Sequence, residues 1–455
     1  MAILNTARDV AFRVLEAVEL DDAYANLVMS KILNESRLDS RDAGMAQELA
    51  FGVLRSKSFY EHVIEQGARR SISEIDIKTS LVLLLGVHQL LGMRVPAHAA
   101  ISETVNLAKK HLKTNASGFV NGVLRRVSEK DRASWMEGFL KGKDATTALA
   151  DKYSHPLWIT RVLMQALDLD GRSDELERLL ELDNEAPEVN LVALPGFCDA
   201  NELIGPNVKA GFASPIGLEL SEGNPAHIPE VAEGRARVQD QGSQLVALAM
   251  VAAQPVTPGE EWLDLCAGPG GKAALLAALA IRDDANLTCN EMAPHRAKLV
   301  EQALAPINRN VFVRTGDGRD LGDDAPEAFD RILIDAPCTG LGALRRRPEA
   351  RWRKRSDDLS SLVPLQKELI ESGWQGLKPG GVLVYSTCSP HTSESVAIVD
   401  WAVKKFKPEL LDVQKILLSI NPSLEFKLER RTAQLWPQAH GTDAMFVAIF
   451  RKPIG

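Results

Sequence analysis

Along the first 135 residues, apolar positions recur every three to four residues, the period of helices that bury one face. Val10, Val14, Leu15 and Val18 set that spacing in Ala7 to Val18, and Asp39-Ser40-Arg41-Asp42 offers caps before a helix over Ala43 to Leu54. Ile77 to Leu91 is strongly apolar and breaks at Met93-Arg94-Val95-Pro96; Pro96 opens the next helix, a position where proline is tolerated. Ser117 to Arg126 closes the set. The pattern predicts an all-α bundle over residues 1–135 with no acid/base constellation; His88 and His98 stand alone and read as structural groups. Residues 136–235 are less regular. Helices are expected up to Leu167 and from Ser173-Asp174 to Leu182, after which Pro187, Pro195, Gly196, Gly205, Pro206 and Pro215 punctuate short strands: a small α+β linker subdomain.

From residue 236 to 455 the chain alternates apolar strands with helices, which predicts an α/β, Rossmann-like domain with a parallel sheet. Strand Trp262 to Cys266 runs into a glycine-rich turn, Ala267-Gly268-Pro269-Gly270-Gly271-Lys272, and then an Ala/Leu helix from Ala273 to Ile281. Strand Asn286 to Asn290 ends at Glu291, Val311 to Arg314 leads to Asp317, Ile332 to Ile334 leads to Asp335, and the run from Gly380 leads to Cys388. Open α/β sheets bind ligands outside the carboxyl ends of their strands. Five successive strand ends each bring a polar group there. The piece from Trp436 to Phe450 reads as a closing hairpin.

Composition narrows the setting. A chain of 455 residues exceeds one usual domain. No apolar run reaches transmembrane length, and Met1 to Asp9 lacks the basic, apolar and small-residue blocks of a secretion leader. Five scattered cysteines form no disulfide framework and no metal-ligand spacing, so a cytoplasmic protein without a metal is expected. Net charge is −8, unevenly spread: residues 1–130 carry 17 Lys+Arg against 15 Asp+Glu, a net of +2 that leaves −10 for the rest. Within the acidic part, Arg345-Arg346-Arg347-Pro348-Glu349-Ala350-Arg351-Trp352-Arg353-Lys354-Arg355 is a basic island beside the Asp335 turn, which predicts a surface that grips nucleic-acid phosphates.

Two strand ends carry thiols: Asp335-Ala336-Pro337-Cys338-Thr339-Gly340 and Ser386-Thr387-Cys388-Ser389-Pro390. A thiolate is a strong nucleophile whose adducts reverse. Spacing does not say which of the two attacks. With the Asp264-to-Lys272 loop, these turns resemble the motifs of S-adenosylmethionine-dependent RNA cytosine-C5 methyltransferases. The N-terminal blocks Val95-Pro96-Ala97-His98-Ala99-Ala100-Ile101-Ser102-Glu103 and Val120-Asn121-Gly122-Val123-Leu124-Arg125 resemble the NusB-like RNA-binding domain. Nearly the whole chain is thus similar to the bacterial ribosomal RNA small subunit methyltransferase B (Sun/Fmu) family.

That resemblance implies a multidomain protein: a NusB-like bundle, the linker subdomain and a class I methyltransferase domain. It implies that Cys266, Ala267, Gly268, Pro269, Gly270, Gly271 and Lys272 line the methionine and ribose of S-adenosyl-L-methionine, with Glu291 on the ribose, Asp317 on the adenine, and Asp335 where cofactor and base meet. It implies Cys388 as nucleophile and Cys338 as the group that assists release. The substrate would be an unpaired or loop cytosine in 16S ribosomal RNA, and the protein a monomer. Three positions depart from the family pattern: Glu291 stands where Asp is usual, Ala444-Met445 where Gly and an aromatic are common, and Glu188 where an Arg precedes Val189-Asn190. Transfer RNA as substrate, methylation of an amino group on adenine or guanine, and a non-catalytic RNA-binding protein are the alternatives. The Asp335-Ala-Pro-Cys338 turn lacks the aromatic of amino-group sites, and the paired thiols speak against the non-catalytic reading.

Overall fold

The computed structural model describes residues 6–113, 115–307 and 310–454, so the first five residues of the amino-terminal stretch weighed above as a leader lie outside it. The chain forms two compact units that interleave along the sequence: Met1–Arg161, Glu177–Ala186 and Leu344–Arg353 make one, and Val162–Leu176, Pro187–Ala343 and Lys354–Gly455 the other.

The first unit is helical. Ala7–Leu20 starts where the Thr6 hydroxyl accepts from the Asp9 amide at 3.2 Å, and Ser40–Arg55 starts where the Asp39 carboxylate accepts from the Asp42 amide at 2.8 Å. Ile77–Leu91, the most apolar helix, is buried on nearly every face, and Phe12, Leu15, Leu49, Phe59, Tyr60 and Ile64 fill the core around it. His88 is buried there with its Nδ1 2.9 Å from the Tyr60 hydroxyl, while His98 is exposed.

The basic island is corrected here. Leu344–Arg353 is part of the helical unit, and Arg345 and Arg351 turn inward. Arg351 is fully buried. It donates to the carbonyls of Asp183 (2.9 Å), Arg55 and Ser154 (both 3.3 Å) and to Asn184 Oδ1 (2.7 Å). Trp352 Nε1 donates to the Leu54 carbonyl at 2.8 Å, and Arg353 donates to the carbonyls of Asp22, Ala23 and Val18. Several of these carbonyls belong to the last turns of Ala7–Leu20 and Ser40–Arg55. Helix carboxyl ends leave carbonyls unpaired and partly negative, and arginine satisfies both needs. The island is therefore a helix-capping strap; of its arginines only Arg347 and Arg355 are exposed.

The second unit holds two sheets. Strands β1 (Val189–Ala193), β2 (Val208–Ala210), β3 (Gly217–Leu220) and β4 (Ala236–Val238) form an antiparallel sheet in the order β2-β3-β1-β4. The larger sheet contains β5 (Glu261–Asp264), β6 (Asn286–Glu291), β7 (Val311–Thr315), β8 (Phe329–Asp335), β9 (Leu377–Thr387), β10 (Glu409–Leu410), β11 (Ala433–Gln434) and β12 (Phe446–Arg451). Its order is β10-β12-β9-β8-β5-β6-β7, with β11 also on β12. β5 to β9 run parallel, and β12 is antiparallel to β9. The closing piece is thus not a simple hairpin, since the short helix Pro437–His440 separates β11 from β12.

Chain order reverses between β5 and β8, and such a switch point opens a crevice at the strand ends. Behind it, Arg331 in β8 is fully buried, paired to Glu260 at 2.6 Å and donating to the carbonyls of Met250, Val251, Gln254 and Pro255. Glu260 also accepts from Trp262 Nε1 at 2.8 Å, so this buried pair is fully hydrogen-bonded.

Candidate active site

Parallel register sets the site. Asp335, the last residue of β8, lies beside Ser386 of β9. The turns that follow therefore leave the sheet side by side, and Cys338 Sγ and Cys388 Sγ lie 3.5 Å apart. Both thiols are half-buried. The sulfurs touch, so no base lies between them. Cys338 has its pKa pushed well up, first by its hydrogen bond to Cys388 and then by burial. The Gly342 amide donates to the Cys388 carbonyl and the Ala444 amide to the Gly342 carbonyl, both at 2.8 Å. This ties the Cys388 turn to the closing piece at one of the positions where the family pattern is broken.

Asp335 joins the thiol turns to the glycine turn. Its Oδ1 accepts from Ser386 Oγ at 3.0 Å and its Oδ2 from Lys272 Nζ at 2.9 Å; Lys272 Nζ also lies 3.0 Å from Ser243 Oγ. Burial lowers the Lys272 pKa, but the charge and hydrogen bond of Asp335 outweigh it, and the net shift is upward. Lys272 is therefore bonded to the thiol side of the site, beyond the cofactor role read for it from sequence.

The glycine turn leads from β5 into the helix Gly271–Arg282, whose Leu275 to Ala280 segment is buried. Gly270 has φ +106°, and a Cβ there would lie 2.6 Å from Ala303 Cβ, so this position admits glycine alone. Gly268 donates its amide to Glu291 Oε2 at 3.0 Å, and its carbonyl accepts from Arg296 at 2.6 Å. Glu291 Oε1 accepts from the Ala293 amide at 3.0 Å. Arg296 Nη1 also lies 3.6 Å from Glu291 Oε2, so the carboxylate is ion-paired as well as hydrogen-bonded. Asn290 ties this edge together by donating to the carbonyls of Leu265 and Gly316, both at 3.1 Å. Asp317 accepts from the backbone and side chain of Arg319, which hold its pKa below the usual range.

Asp264, at the foot of the glycine turn, is buried, and neither carboxyl oxygen has a partner. Burial, then the charge of Asp335, pushes its pKa up to about 7. Burial likewise raises the pKa of the Cys266 thiol well above its ordinary value. An orphaned buried acceptor, a glycine cradle and a carboxylate on the next strand together fit a nucleoside ligand with a cationic group. Among the described residues no cluster of three or more His, Cys, Asp and Glu side chains could hold a metal, and no helix is long and apolar enough to cross a membrane.

The structure thus brings the Cys338–Cys388 contact and the Asp335–Lys272 pair to the ends of neighbouring strands, and the Gly268 turn to Glu291. Asp317 stands on the third strand end, paired to Arg319. Sequence reading missed Ser243, Glu394 and Gln366. Two open clefts, of about 680 Å³ beside Val251–Val256 and about 660 Å³ along the small sheet, include neither thiol, so chemistry locates this site better than cavity size.

Comparison with known proteins supplies a context. The family model described as 16S rRNA methyltransferase RsmB/F matches residues 251–451, and that of the NusB family matches residues 5–129. A protein of Mycobacterium tuberculosis described as a "putative methyltransferase" is 42% identical over 452 residues, covering 99% of this chain and 97% of its own. The ribosomal RNA small subunit methyltransferase B of Klebsiella pneumoniae is 32% identical over 363 residues, covering 78% and 80%. A solved structure 22% identical shares the fold over 97% of this chain and 98% of its own, with a TM-score of 0.81. A methyltransferase homolog from Pyrococcus horikoshii, 25% identical, matches 68% of this chain and 99% of its own with a TM-score of 0.56.

Proposed function

Since the chain belongs to the RsmB/F family of 16S rRNA methyltransferases, we propose that it methylates C5 of a cytosine in 16S ribosomal RNA, through a covalent adduct of Cys388 at C6. The observation that carries this reading is the 3.5 Å contact of two thiols beside the Asp335–Lys272 pair.

Cytosine C5 is a weak nucleophile. Addition of the Cys388 thiolate to C6 breaks the C5=C6 double bond and gives C5 carbanion character, splitting one hard step into easier ones. The contact of Cys338 with Cys388 places a second thiol where the adduct forms. Asp335, fixed by Lys272 and Ser386, accepts from the N4 amino group of the base and so orients it toward the thiols. S-adenosyl-L-methionine, held by Cys266 to Lys272, Glu291 and Asp317, supplies an electrophilic methyl group when bound. Once C5 carries that methyl, Cys338 serves the release step, as the base for the C5 proton or as the relay to it; the C5=C6 bond re-forms and Cys388 leaves as thiolate. The base must leave its stack to reach such a site, so an unpaired or loop cytosine is the substrate.

The test is adduct trapping. Cys338→Ala, incubated with S-adenosyl-L-methionine and 16S rRNA, should accumulate an RNA–protein species that survives denaturation; Cys388→Ala should form none and be inactive. Full activity in Cys388→Ala would sink the assignment. Bisulfite mapping of rRNA from cells lacking the protein identifies the base.

A further inference from the structure

One buried side chain outside every motif holds both thiol turns. Glu394, in the 3-10 turn Thr392–Glu394 after β9, is 0% exposed. Its Oε1 accepts from the Thr339 amide at 2.9 Å and from Gln366 Nε2 at 3.1 Å. Its Oε2 accepts from Thr339 Oγ1 at 2.5 Å and from Ser389 Oγ at 2.7 Å. Thr339 directly follows Cys338, and Ser389 directly follows Cys388. Gln366 Nε2 also donates to the carbonyl of Pro337, the residue before Cys338, at 2.9 Å. The Tyr385 hydroxyl donates to the Glu394 carbonyl at 2.7 Å and so anchors the turn to β9.

We propose that Glu394 is the positioning residue of the two-thiol site: its single carboxylate sets the separation and mutual orientation of Cys338 and Cys388. The inference rests on the two-thiol reading given above. A carboxylate offers about four lone-pair sites in one plane, and here four donors from three segments fill them. An amide would turn an N–H₂ group toward donors on one side. Burying a carboxylate is costly unless it is fully bonded, so a network of this kind tolerates little displacement. Its charge also raises the Cys338 pKa, behind the Cys388 hydrogen bond and burial. Glu394 thus does not favour the Cys338 thiolate, and its four hydrogen bonds carry the positioning role.

The experiment uses the full chain with Glu394→Gln and Glu394→Asp. Misplacing reacting groups by about 1 Å costs roughly 100-fold, so Glu394→Gln should lose about that much in kcat with KM for S-adenosyl-L-methionine within about twofold, and Glu394→Asp should recover part of the loss. A second readout is independent of methyl transfer. Phenylarsine oxide bridges two adjacent thiols, forming two As–S bonds while the oxide leaves as water. Wild type should capture it, Cys388→Ala should not, and Glu394→Gln should capture it much more slowly. Wild-type kcat and capture in Glu394→Gln would overturn the proposal. So would a parallel loss of cofactor binding and thermal stability without selective loss of capture, which marks a folding residue. If Cys388→Ala stays active while Glu394→Gln still slows capture, the C5 mechanism fails and the positioning role stands.

Discussion

Asp264 illustrates what one residue costs the fold. Its carboxyl is buried without a partner, and its pKa stands near 7 where an exposed aspartate titrates near 3.8. Asp335 and Glu291 raise it further and Lys272 opposes them. The folded state therefore binds a proton that the unfolded state has released between about pH 4 and pH 7, and this group's contribution to stability falls as pH rises through that window. The size is a few kcal/mol at most, because each pKa unit is about 1.4 kcal/mol and the site is shared with three other charges. Asp264→Asn should flatten the loss of thermal stability over this range relative to wild type, and melting curves at several pH values check it. Parallel slopes would mean that Asp264 does not titrate there. At the same scale, alkylation should follow burial: fully buried Cys289 should resist iodoacetamide near neutral pH longer than the half-buried Cys338 and Cys388, as read by mass spectrometry of labelled peptides.

At the scale of elements, the site is made by turns between strands, and two glycines decide whether those turns close. A Cβ on Gly342 would lie 2.0 Å from the Ala444 carbonyl oxygen and 2.9 Å from that of Cys388. Backbone atoms on both sides cannot give way, so Gly342→Ala should displace the Cys388 turn. We expect a drop in kcat of roughly 100-fold and a stability loss of about 1–3 kcal/mol, read by turnover and thermal unfolding. Gly270→Ala strains a positive φ and meets Ala303, and should weaken S-adenosyl-L-methionine binding in a calorimetric titration while leaving thiol capture by the arsenical intact. Much of this scale was legible in the sequence. The strands ending at Glu291 and Asp335 and the thiol turn after β9 follow from apolar runs closed by Gly, Pro and small polar residues. The clamp was not legible, because Glu394 and Gln366 lie in a turn and a helix whose local pattern says nothing of which loops they face.

At the scale of the whole molecule, sequence order and compact units part company. Leu344–Arg353 sits between β8 and β9 in the chain yet folds with the helical unit, where Arg351 satisfies carbonyls from several segments. Burial pulls the Arg351 pKa down to about 10. Removing it leaves buried acceptors unpaired, and Arg351→Ala should cost roughly 3–5 kcal/mol, read as a lowered melting temperature. Charge reversal at exposed Arg347 should leave stability within about 0.5 kcal/mol. If Arg351→Ala is as stable as wild type, the strap reading falls.

The amino-acid sequence by itself determined the elements, the polar group at each strand end and the presence of two thiols at two such ends, because periodicity and turn chemistry are local. It misjudged the basic island, since a run of charges looks the same whether it faces water or caps helices. Only the tertiary structure decided that β8 and β9 are parallel neighbours in a register that brings two sulfurs within 3.5 Å, that one carboxylate holds both turns, and that Lys272 bonds Asp335. Those are long-range pairings, chosen by which buried surfaces and hydrogen-bonding groups complement one another across the fold, and no window of neighbouring residues contains that information.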